Sequence, residues 1–105
     1  MKNIVDELEG IVSQARKDFN KMSPEDWNYR AAPGKWSKKE ILGHLIDSAA
    51  NNHQRFVRAQ FEDKPCVTYE QDSWVSFQKY ADEPVENIIG LWINYNKHLA
   101  YLISV

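Results

Sequence analysis

The chain of 105 residues has a single cysteine, Cys66. That excludes an intramolecular disulfide and any zinc cage built from several thiolates. The surrounding FEDKPCV reads as a loop with an inert thiol. An excess of one charge is missing too: the net charge is −2, the pI is about 5.9, and Lys and Arg are scattered among Asp and Glu. Nucleic acid is therefore not an expected partner, because phosphate binding calls for a basic stripe. No run approaches the roughly 18 apolar residues of a membrane span, and MKNIVDELEG has no apolar signal core. The expectation is a cytoplasmic protein with no membrane partner. No segment alternates like a half-buried strand, and there is no Gly-rich phosphate loop, G-x-S-x-G elbow or H-E-x-x-H pair.

What is present is helical periodicity. An apolar fraction of 43% and a charged fraction of 27% describe a chain able to fold, and at this length it forms one domain, burying about 60–70% of its unfolded surface. Ile4, Val5, Leu8, Ile11, Val12, Ala15, Phe19 and Met22 recur at spacings of three and four, predicting a first helix over about residues 2–20. In SPEDW, Ser23 caps, Pro24 suits the first helical position and Met22 can staple onto Trp27. After the turn AAPGK, Ser37 and Glu40 form an S-x-x-E capping box with Trp36 placed to meet Ile41, so a second helix runs from there to about Ala59. Asp63 and Pro65 break it. A third helix is expected from Thr68, with Gln71 completing a weaker capping box, and a last one from about Pro84. That last helix carries Val85, Ile88, Ile89, Trp92, Tyr95, Leu99 and Ile103 on one side and Leu91, Ile93 and Leu102 on the other, a wider arc than one contact needs. The fold class is all-α, an antiparallel helical bundle.

At about 100° per residue, Ile41, Leu42, Leu45, Ile46, Ala49, Phe56 and Val57 share one broad arc of the second helix, which is the expected buried side. His53 falls inside it, as a histidine satisfied by a neighbouring acceptor. His44 falls outside it, on a stripe with Asp47, Ser48, Asn51 and Arg55. The stripe reads either as a solvated face or as a polar cleft between helices, offering a metal-binding imidazole, a carboxylate to orient it and an Arg for an anionic substrate. His98, beside Lys97, is expected to be exposed.

WSKKEILGHLIDSAANNHQRF resembles the signature of the DinB-like or YfiT-like superfamily: a Trp-Ser helix start, an apolar pair, a His-Leu step, then Asp-Ser and a later Phe. The segment DSWVSFQKYADEPVENIIGLWINYNKHLAYLI is similar to the next segments of that family. The resemblance implies a four-helix bundle, often dimeric, with zinc or nickel held by three histidines. His44 matches the first of these. The other two form an H-x-x-x-H pair on a final helix beyond the segment matching residues 83–104, and His98 matches neither. The resemblance further implies a metal-dependent thiol S-transferase, using a small-molecule thiol, or a hydrolase. The expectation is thus a metal site incomplete within these residues, a last helix missing or supplied by a partner, and a homodimer that covers the apolar arcs. The alternative is a non-enzymatic dimeric bundle acting through its surface.

Overall fold

A computed structural model describes residues 2–64 and 67–104, and in residues 2–4 only the backbone. Pro65, Cys66 and Val105 lie outside the described residues, and the expectation for Cys66 with them. The described residues form five α-helices, α1 (Lys2–Asn20), α2 (Pro24–Asn28), α3 (Lys38–Arg58), α4 (Gln71–Gln78) and α5 (Val85–Ser104), with a 3-10 turn at Tyr80–Asp82 between the last two. Among the described residues there is no strand, only an isolated bridge between Arg30 and Ser37.

Capping chemistry explains the starts of α2 and α3. Ser23 accepts from the Asp26 amide while the Asp26 carboxylate accepts from the Ser23 amide, and Ser37 and Glu40 repeat the arrangement at α3. Each pair satisfies two amides that a helix N-terminus leaves without partners. Burial alone would push the Glu40 carboxyl up, but the Ser37 amide and the Arg30 guanidinium, 2.6 Å away, outweigh it and hold it below its ordinary value. The expected start of α4 is corrected: the helix begins at Gln71, three residues after Thr68, with Glu70 in the cap position and no side-chain cap. Its end is abrupt. Lys79 takes a left-handed conformation, φ 56°, which reverses the chain into the 3-10 turn and brings Tyr80 back over α3.

α5 runs between α1 and α3, with α2 and α4 against α3. This accounts for the wide apolar arc of α5, whose Ile88, Ile93, Leu99 and Ala100 are all buried while Leu91 stays exposed. The core joins Trp27, Leu42, Ile46, Val75, Tyr80 and Ile88, with Phe19 and Trp92 packed against it. Phe19 bridges two elements, its ring 5.4 Å from that of Trp27 and 5.5 Å from that of Trp92.

The arc expected to be buried on α3 is corrected in the same way. Leu42, Ile46 and Ala49 are buried, but Ile41, Leu45, Phe56 and Val57 are exposed. The physical reason is that α3 spends one side on α5 and the adjoining side, where its polar stripe lies, on α4. The flank carrying Ile41, Leu45 and Phe56 is left close to half exposed.

Candidate functional site

The polar stripe of α3 is an interface, not a solvated face. Asp47 is 1% exposed and Asn51 is also buried, His44 and Ser48 are half-buried, and only Arg55 is exposed. The solvated-face reading is corrected: the stripe packs against α4, the 3-10 turn and the extended segment before α4, through Gln78, Tyr80 and Tyr69.

Each residue has a distinct partner. Asp47 Oδ1 accepts from the Tyr80 hydroxyl at 2.6 Å and from Gln78 Nε2 at 2.7 Å. That hydroxyl also lies 2.9 Å from Gln78 Oε1, but it has one proton to give, and the charged carboxylate is the stronger acceptor. Burial, followed by the Asp47 carboxylate beside it, pushes the Tyr80 phenol far above its ordinary value, so it remains a donor. Ser48 Oγ is 2.9 Å from the Tyr69 hydroxyl, and Asn51 Nδ2 donates back along the helix to the Asp47 carbonyl at 2.8 Å. Arg55 reaches out of the cleft and donates to the Val67 carbonyl at 2.7 Å. Its guanidinium fastens the loop, which is a structural use of a group expected to meet an anion.

Tyr80 reaches Asp47 because position 43 is glycine. The Tyr80 ring lies directly on the Gly43 backbone, where a β-carbon would fall within the ring. A glycine in mid-helix costs about 0.8–1 kcal/mol relative to alanine, and here it clears the space for an aromatic latch. The signal in the sequence is the glycine immediately before His44, which lies outside the residues that the motif draws attention to.

Among the described residues two buried polar atoms have no partner: Nδ1 of His44 and Oδ2 of Asp47. They stand one turn apart on the same helix. The His44 ring packs on Trp36, ring centres 5.0 Å apart, so Trp36 serves both the helix start and the imidazole, while its expected partner Ile41 is exposed. Unpaired buried polar atoms are rare in folded proteins, and water or an ion commonly accounts for them. As a metal site, however, the set falls short. Among the described residues no three His, Cys, Asp or Glu side chains are grouped to hold an ion, and a catalytic zinc takes three protein ligands as a rule. His44 supplies one. The Asp47 carboxylate, already holding two donors, is better placed to orient than to ligate.

The remaining histidines lie elsewhere. His53 is half-buried with Nδ1 2.8 Å from the Tyr95 hydroxyl, as the satisfied-histidine reading expected, and His98 is exposed on α5.

The sequence pattern of the DinB superfamily matches residues 8–101, and the chain belongs to that superfamily. Over 97 residues it is 24% identical to a protein of Oceanobacillus iheyensis named, provisionally, a metal-dependent hydrolase, covering 91% of this chain and 56% of the relative. Its fold is similar to that of YfiT from Bacillus subtilis, described with its structure as a metal-dependent hydrolase by inference and as a four-helix bundle of unusual topology. The TM-score is 0.84 at 17% identity, over 98% of this chain and 59% of YfiT. The chain thus spans somewhat more than half the length of the relatives it matches.

Proposed function

We propose that this chain is part of a divalent-metal-dependent DinB-type enzyme, a hydrolase or a thiol S-transferase using a small-molecule thiol in the cytoplasm. His44 is its one metal ligand among these residues, and Asp47 with Ser48 and Asn51 forms the supporting wall. The observation that carries the reading is the unpaired, buried Nδ1 of His44, set in the family motif next to the unpaired Oδ2 of Asp47. The names of the relatives agree with it. Because these residues do not complete a coordination set, the reading requires further ligands from outside them. The ion, zinc or nickel, would supply Lewis acidity when bound. What this chain contributes is positional: Tyr80 and Gln78 hold Asp47, and Trp36 holds the imidazole plane.

The second reading, a homodimeric bundle acting through its surface, is favoured by the bare flank of α3. Ile41 and Leu45 flank His44 on the helix and Phe56 continues the same exposed flank further along, a surface on which a second copy could seat.

Calorimetric titration of the purified chain with zinc and with nickel, beside His44→Ala, tests the first reading. With a small-molecule thiol present to complete the coordination, the expected result is one binding event of the parent that the variant lacks. Binding equal in both proteins would remove His44 from the site and the reading with it.

A further inference from the structure

We propose that His53 and His98 form a second metal site, a two-histidine clamp between α3 and α5 that takes a zinc, nickel or copper(II) ion. This does not rest on the reading given to His44. The two histidines of α3 point about half a turn apart and are separated by about 13 Å along the axis, so one ion cannot serve both.

Four observations carry the clamp. The rings of His53 and His98 have centres 5.2 Å apart and planes at 82°. Two imidazoles bound to one ion at about 2.1 Å, with a tetrahedral angle between them, have ring centres about 5 Å apart, so an ion requires the His98 ring to pivot but not the helices to move. Second, the pair sits on long helices that pack against each other, which fixes the spacing before any ion arrives. Third, His53 has the outer partner that ligating histidines use. With Nδ1 as donor to the Tyr95 hydroxyl, 2.8 Å away, the lone pair is left on Nε2, and the ring orientation is set.

The fourth is the surroundings. His53 lines an open groove of about 210 Å³ with Gln54, Val57 and Arg58, leaving room for water or an outside ligand to complete the coordination. Of the two cations near the pair, Arg58 is engaged, its Nε and Nη2 donating to the Glu62 carboxylate at 2.6 and 2.8 Å, and Lys97, next to His98, is exposed to solvent. His98 makes no hydrogen bond to any described residue, and its exposed ring meets the rings of His53 and Tyr101. Imidazole ligands select borderline transition metals over magnesium and calcium, and among these favour copper(II).

The test is titration of the tag-free chain with copper(II), zinc and magnesium by calorimetry, in the parent, His98→Ala, His53→Gln and His44→Ala proteins. His98→Ala is the decisive variant because it removes an exposed residue outside the core cluster. It should bind copper(II) and zinc at least tenfold more weakly, with His53→Gln behaving alike, while His44→Ala retains this binding event and magnesium gives no heat in any of them. Nitrogen hyperfine structure in the copper(II) paramagnetic resonance spectrum should show two imidazoles in the parent and one in His98→Ala. No binding by the parent, binding unchanged in His98→Ala, or binding lost in His44→Ala alone would each overturn the proposal. The last would at the same time support the reading given to His44.

Discussion

Tyr80 is where burial, charge and backbone meet. Its hydroxyl is the shorter of two donors to a carboxylate that has no solvent to fall back on. Removing it in Tyr80→Phe leaves Asp47 Oδ1 with Gln78 alone, at an expected cost of about 1–3 kcal/mol in a urea titration. The pH dependence follows from the direction of the phenol's shift. A tyrosine whose folded pKa lies above its unfolded value, 10.0, contributes stability that is whole below that value and is lost as pH rises above it. The parent should therefore lose stability in alkali between about pH 10 and 12, and Tyr80→Phe should lose less over the same interval. Equal alkaline slopes would show that the phenol ionises as easily folded as unfolded. At this scale the sequence was partly legible. His44 and Asp47 stand out in the motif, but their environment is set by Gln78 and Tyr80, from a segment with no periodic relation to α3.

Helices were the more readable level. The α1 span and the capping boxes at Ser23 and Ser37 follow from local chemistry alone, since an N-cap needs only its own next three residues. The start of α4 did not follow, because its first residues are tied outward, Tyr69 to Ser48 and to the ring of Trp74, and tertiary contacts override a weak capping signal. Which flank of α3 is buried was equally beyond the sequence. Polar and apolar flanks alternate around that helix, and burial depends on which of them a neighbour reaches. Gly43 shows the contest inside one element. Replacement by alanine improves intrinsic helix propensity by about 0.8–1 kcal/mol, yet the added methyl meets the Tyr80 ring, and overpacking costs about 1–3 kcal/mol. We expect Gly43→Ala to lower the thermal midpoint, and to lower it less in a Tyr80→Ala background, where the ring is gone. A higher midpoint in the parent background would mean that the latch is loose.

Taken whole, the molecule measures 43 × 29 × 20 Å with a radius of gyration of 15.1 Å, against about 13 Å for a typical domain of this length. Ile41, Leu45 and Phe56 on α3, Phe61 after it and Phe77 on α4, the last 84% exposed, leave apolar area on the surface. Monomers seldom leave so much apolar surface uncovered. Sedimentation velocity at micromolar concentration should give a dimer, shifted towards monomer by Leu45→Glu; a parent that stays monomeric at high concentration would count against self-association. The order of the helices has a different consequence. α1 packs chiefly on α5, with Phe19 at its end touching α2 and α5, so the first of these helices to leave the ribosome must await α5 before its stripe is covered. While the intervening helices are being made, the nascent chain carries an open amphipathic helix, the kind of surface that chaperones hold until its partner emerges.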